Sequence, residues 1–158
     1  MDTAFSLRTE AALDRAAAHC ARHGARLTEL RREVLGLILE APGPTGAYDL
    51  LDRLRDRRGA AAPPTVYRAL DFLQAQGLVH KLERLAAFIG CVEDAGHAHG
   101  AQFLICGGCS RVQEIEDAAL AAALDRAAAA SGFAVRRATI EAEGICADCL
   151  SRQSRAAR

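Results

Sequence analysis

Two Cys-x-x-Cys pairs, Cys106-Gly-Gly-Cys109 and Cys146-Ala-Asp-Cys149, limit what this chain can fold into more than any other feature. A two-residue gap lets both sulfurs of one turn face the same ion, and 36 residues separate the two turns. Each pair therefore reads as half of a tetrathiolate around Zn²⁺, with sulfurs about 2.3 Å from the ion. Two other readings stand beside it. The four could be buried free thiols, or one pair could be redox-active, although a redox motif normally stands alone at a helix start. Cys20 and Cys91 lie outside both pairs. Six cysteines used this way suit a reducing compartment and argue against a disulfide framework.

With 158 residues, 51% of them apolar, the chain can bury a core, which excludes collagen-like, mucin-like and wholly disordered classes. It has no Trp, two Tyr and five Phe, so the core is expected to be aliphatic, and alanine runs such as 127–130 favour helix. Twenty basic and twenty acidic residues cancel. Residues 1–84 carry 13 basic and 11 acidic side chains (+2) and the remainder 7 and 9 (−2). That asymmetry does not by itself prove a nucleic-acid partner. No apolar run reaches the roughly 18 residues of a membrane span, and no charged segment followed by an apolar core opens the chain. The expectation is a soluble, cytoplasmic protein with no membrane partner.

Helical spacing runs over residues 9–23 and stops at Gly24. A second helix, with Thr28 as its cap, repeats Val34, Leu35, Ile38 and Leu39 until Ala41-Pro-Gly-Pro44. A third over residues 47–57 buries Leu50, Leu51 and Leu54. Pro63-Pro64 predicts an extended entry to a fourth, which begins at Thr65, turns Val66, Ala69, Leu70 and Leu73 inward, and ends at Gly77. Residues 78–82 and 86–92 then read as a two-stranded hairpin. Short helices followed by such a wing are the winged helix-turn-helix layout, assigned to residues 1–92. Residues 93–100, with two His and two Gly, read as a hinge. Residues 101–158 predict strands over 101–105 and 111–116, an Ala-rich helix over 117–131, a strand over 133–141 and a frayed tail after Cys149. The fold class is α+β: an N-terminal winged helix-turn-helix domain and a C-terminal α/β domain.

A second group of metal-compatible residues comprises His80, Cys91, His97, His99 and Glu114, which no local spacing rule connects. Zn²⁺ accepts mixed nitrogen, sulfur and oxygen donors, whereas Mg²⁺ and Ca²⁺ want oxygen. Each can equally be a solvated polar residue. On the fourth helix Tyr67 and Arg68 face away from the core side chains and can project into a major groove, where Arg forks onto guanine. A phosphate contact or a solvated charge is the alternative for Arg68. Arg26, Arg31 and Arg32 are further candidates for phosphate contacts or for a plain charged face.

Pro63-Pro-Thr-Val-Tyr-Arg-Ala-Leu70 with Asp71-Phe-Leu73, and Gly77-Leu-Val-His-Lys81, resemble the recognition-helix region of ferric uptake regulator family repressors. Cys91, His99 seven residues ahead of Cys106, Phe103-Leu-Ile-Cys106-Gly-Gly-Cys109, Val112 with Glu114, and Ile140-Glu-Ala-Glu-Gly-Ile-Cys146-Ala-Asp-Cys149 resemble that family's zinc uptake regulator branch. The likeness covers about residues 20–150. It implies a structural zinc at Cys106, Cys109, Cys146 and Cys149, and a regulatory zinc at His80, Cys91, His99 and Glu114, two per protomer. His97 has no counterpart and is left as a hinge residue. The iron-sensing branch would place a His-rich cluster before the first Cys pair and lacks the wing cysteine, and a thiolate favours the softer ion.

The resemblance further implies DNA contacts from Tyr48, Thr65, Tyr67 and Arg68. Asp52 and Arg55 read as an i,i+3 ion pair, or as a link between neighbouring dimers on DNA. The resulting expectation is a homodimeric repressor of zinc uptake genes that binds double-stranded operator DNA with Zn²⁺ as corepressor, with two dimers on an operator as a further possibility. It is not an enzyme. An iron or peroxide sensor on the same fold is the nearer alternative, and a zinc enzyme the more distant one.

Overall fold

The computed structural model describes residues 4–91 and 100–156. Residues 93–99 of the expected hinge, His97 and His99 among them, lie outside the described residues. The chain divides into two compact units, Met1–Gly96 and His97–Arg158.

In the first unit α1 (Leu7–Arg22) starts where the Ser6 hydroxyl accepts the Thr9 N–H, and it buries Ala12, Leu13, Ala16 and Cys20. Gly24, at φ +67°, turns the chain through the left-handed region that only glycine enters cheaply. Helix α2 (Glu29–Glu40) buries the run Val34–Ile38. Thr28 stands at its N-cap, where its carbonyl accepts the first helical bond from the Arg32 N–H at 2.8 Å, but its hydroxyl makes no capping bond, contrary to expectation. Helix α3 (Ala47–Arg58) buries Leu50, Leu51 and Leu54. Helix α4 (Pro63–Ala75) turns Val66, Ala69, Leu70 and Leu73 inward. It begins at Pro63 rather than Thr65. A proline at the first helical position gives up an N–H that has no helical partner anyway, and its φ suits the turn.

The wing is a three-stranded antiparallel sheet in the order β1-β3-β2, from β1 (Thr45–Gly46), β2 (Val79–Leu82) and β3 (Ala87–Gly90). Only its two longer strands were expected, because a two-residue strand has no periodicity to read. Side chains from all four helices and the sheet form one aliphatic cluster centred on Leu13, Leu35, Leu50, Leu54, Leu70 and Leu73.

The second unit is a sheet in the order β5-β4-β6, made of β4 (Ala101–Cys106), β5 (Val112–Ile115) and β6 (Thr139–Gly144), with α5 (Ala118–Ala130) and α6 (Ala147–Ala156). Strand β4 pairs antiparallel with β5 and parallel with β6, with Cys106 opposite Gly144. Asp117 caps α5 by accepting the Leu120 N–H at 2.9 Å, and buried Gln102 bonds both the N–H and the carbonyl of Asp117.

Two expectations fail in this unit. The strand placed over 133–141 is β6 at 139–144, because parallel pairing with β4 begins at Thr139 opposite Ala101. Before it, the Phe133 N–H still closes the end of α5 on the Ala128 carbonyl. The tail after Cys149 is helical through Ala156, started by the bond from the Leu150 N–H to the Cys146 carbonyl. No helix among the described residues is long and apolar enough to cross a membrane.

Candidate metal and nucleic-acid sites

Both Cys-x-x-Cys turns leave the same end of the second sheet. Strand β4 ends in Cys106, and the turn after it is closed by the Ser110 N–H on the Cys106 carbonyl at 2.8 Å and the Gly107 N–H on the Gly144 carbonyl at 2.8 Å. Strand β6 ends at Gly144, and Cys146 and Cys149 straddle the start of α6, whose N-terminal end favours negative sulfur. The four Sγ atoms lie within 4.8 Å of one another, and those of Cys109 and Cys146 are 3.8 Å apart. A tetrahedron with sulfurs at about 2.3 Å from its centre has edges of about 3.8 Å, so the donor set fits Zn²⁺. The same separation is far beyond a disulfide bond of about 2.05 Å.

The Cys106 sulfur accepts the N–H groups of Cys146 at 3.3 Å and Gly108 at 3.4 Å. These bonds, the Cys146 N–H foremost, hold the Cys106 thiol down to about 6. Cys149 is pushed up to about 12, first by its hydrogen bond with Cys146 and then by desolvation. Thiolate at one sulfur and retained hydrogen at its neighbour are what crowded like charges demand. Gly108 allows the close approach: a Cβ there would stand 3.2 Å from the Cys149 sulfur.

Residues of the second candidate set fall in each of the two units. In the first, His80 stands on β2 opposite Ile89, and Cys91 follows β3, buried, with its N–H on the Leu78 carbonyl at 2.9 Å. A ring nitrogen of His80 and the Cys91 sulfur lie within 4.8 Å of each other. In the second unit, Glu114 stands on β5 opposite Phe103. His99 lies outside the described residues.

Of the residues expected at DNA, Tyr67 (44% exposed) and Arg68 lie on the outer face of the first turns of α4, with Thr65 half-buried beside them. Tyr48, in the first turn of α3, is 72% exposed. Asp52 and Arg55 pair within α3 at 3.4 Å, and the Arg55 Nε also donates to the Ala61 carbonyl. Two of the three candidate phosphate-binding arginines have structural partners instead. Arg32 ties α2 to α1 through Glu10 and Asp14 at 2.6 and 2.8 Å, and Arg31 lies 3.6 Å over the Phe72 ring. Desolvation works against the Arg32 charge, and those two carboxylates more than restore it.

Sequence reasoning passed over Arg152, whose Nη2 donates toward the Cys149 sulfur at 3.8 Å. Its signal was the i,i+3 spacing from Cys149, visible only if the tail is read as helix.

The model of the ferric uptake regulator family matches residues 22–143. The zinc uptake regulation protein of Escherichia coli strain K12 is 42% identical over 142 residues, covering 90% of this chain and 83% of that protein. Its namesake in Mycobacterium tuberculosis strain H37Rv is 30% identical over 131 residues, covering 81% of this chain and 97% of the other. A solved zinc uptake regulator complexed with zinc and DNA superposes with a TM-score of 0.84 at 41% identity, covering 92% of this chain and 97% of that one.

Proposed function

The chain belongs to the ferric uptake regulator family, and from that premise we propose that it is a zinc-responsive, DNA-binding transcriptional repressor of zinc uptake genes. The observation that carries the reading is the pairing of a wing imidazole with a buried thiol, His80 with Cys91, in a chain that also has a full tetrathiolate. A sulfur donor in the sensing set favours Zn²⁺ over the harder Fe²⁺. The 42% identity to a zinc uptake regulation protein supports the same choice.

In this reading Cys106, Cys109, Cys146 and Cys149 hold one zinc that braces the second unit, and His80, Cys91, His99 and Glu114 hold the other. Each protomer thus takes two ions. When bound, zinc supplies a strong electrostatic cross-link between its donors. The sensing donors come from both units, so their ligation favours one arrangement of the chain. If that arrangement also fits DNA, zinc affinity and DNA affinity rise together by linkage. Tyr67 and Arg68 read base edges from α4, Thr65 and Tyr48 contact the backbone or thymine methyls, and the second unit dimerises so that two α4 helices meet successive major grooves. Asp52 and Arg55 link neighbouring dimers where two dimers load one operator. The site of action is the cytoplasm, and catalysis has no part in this reading.

The test is metal content of the purified protein together with a gel shift on zinc-transporter promoter DNA, with and without chelator. Two zinc ions per protomer and a shift that chelator abolishes are expected. Iron in the sensing set, or a shift indifferent to zinc, would replace the reading with the iron or peroxide sensor.

A further inference from the structure

Four thiolates around one Zn²⁺ leave about two uncompensated negative charges. The backbone N–H groups of Gly108 and Cys146 donate to the Cys106 sulfur. The Cys149 sulfur receives the Arg152 guanidinium, whose Nε is steadied by the Asp148 carbonyl at 3.3 Å. On the other side Arg111 is held by the Asp148 carboxylate at 2.8 Å, where its charge acts on Cys146 and Cys109 as well. Asp148, an interior residue of the second Cys pair, thus fastens one arginine by its carboxylate and the other by its carbonyl. Three of the four sulfurs lie under the influence of one or the other guanidinium.

We propose that Arg111 and Arg152 are the charge-compensating residues of the tetrathiolate, positioned by Asp148, and that they slow the loss of its zinc and the attack of electrophiles on its sulfurs. The inference rests on the tetrathiolate reading above. Arg152 bonds a ligand sulfur and Arg111 bonds Asp148 between two ligands, so both act through the ligands and are positioning residues. Partners of this kind shift metal affinity by about 10- to 100-fold elsewhere. Solvent screening at these exposed side chains puts the expectation at the lower end.

The experiment uses the full-length zinc-loaded protein and reads two rates: zinc transfer to a chromophoric chelator, and alkylation of the cysteines by iodoacetamide. Arg111→Gln with Arg152→Gln should lose zinc and react about tenfold faster than the parent, with helix content unchanged by circular dichroism. Arg111→Lys with Arg152→Lys should stay near the parent, and raising salt should narrow the gap between the Gln and parent proteins. A merely structural role for the two side chains would instead make the Gln and Lys proteins alike and the gap insensitive to salt. Equal rates for parent and Gln proteins, or that salt-insensitive pattern, overturns the proposal. A parent without a chelator-resistant zinc that Cys106→Ser removes overturns the tetrathiolate reading and the proposal together.

Discussion

The two units hold themselves together differently. The first buries Leu13, Leu35, Leu50, Leu54, Leu70, Leu73 and Leu78 completely or nearly so, in one cluster fed by four helices and a sheet. Among the described residues of the second, burial reaches Gln102, Phe103, Ile105, Cys106 and Cys149. Helix α5 buries none of its residues, and Leu120, Leu124 and the following Phe133 are 39%, 36% and 67% exposed. A unit that removes so little apolar surface from water has a small hydrophobic contribution to set against its chain entropy. The difference teaches that one unit is built by its side chains alone, whereas the other, in the proposed function, is completed by a metal cross-link and by a second copy against α5.

The largest way to break the contrast is Cys106→Ser. Structural zinc contributes about 10 kcal/mol or more in small metal-dependent modules, so the second unit should unfold and the dimer dissociate while the first keeps its own calorimetric transition. Loss of both transitions at one temperature would show that the units are not separable. Acid offers a graded version. Zn²⁺ binds cysteine as thiolate, so protons compete with it for the four sulfurs, and chelator-assisted zinc loss should accelerate on acidification.

The mirror-image cut is Leu54→Ala, expected to cost the first unit about 2 to 5 kcal/mol by denaturant unfolding while the zinc content of the second stays that of the parent. Cys91→Ser should give a folded dimer that keeps its tetrathiolate zinc but loses the zinc-dependent gain in operator binding. A coupling of that kind is typically about 1 to 3 kcal/mol, and an unchanged zinc response in fluorescence anisotropy would move the sensing site elsewhere.

Arg68→Ala should lose about 1 to 3 kcal/mol of discrimination between operator and scrambled DNA. An equal loss on both DNAs with a shallower salt slope would make Arg68 a phosphate clamp. The smallest effect on stability belongs to Asp52→Ala, a few tenths of a kcal/mol for an exposed i,i+3 pair. If the pair links dimers, cooperative loading of a second dimer should vanish, and exchanging the two charges should restore it.

Legibility in the sequence followed the same divide. Helices α1 to α4 were readable because a self-sufficient core needs Leu and Val at helical spacing, and the burial of Leu50, Leu51 and Leu54 repeats that pattern. The convergence of the four paired cysteines was readable because ligand chemistry imposes its own two-residue gap. Where neither rule operates, reading failed. Strand β1 is specified by pairing with Phe88 and Ala87 rather than by its own two residues. The start of β6 is specified by its parallel partner. Helix α6 is short and polar and buries only Cys149, so no apolar run marks it, and with it Arg152 escaped notice. His80 and Cys91 are eleven positions apart and meet only because β2 and β3 pair, which is why resemblance rather than spacing found them.

The parallel alignment of β4 and β6 has a consequence for how the domain can vary. Because Cys106 lies beside Gly144, everything between the two Cys pairs is an excursion whose ends are pinned by hydrogen bonds before any sulfur is ligated. Lengthening or shortening that excursion within the loops around α5 alters only a closure entropy that grows with the logarithm of length, about 0.6 kcal/mol per doubling. Removing one residue inside β6 is a different operation, since a strand shifted by one position turns every side chain to the opposite face. Cys146 and Cys149 would then leave the sheet out of step with Cys106. The donor set is thus tolerant of insertion in the loops on either side of α5 and intolerant of it within Thr139–Gly144.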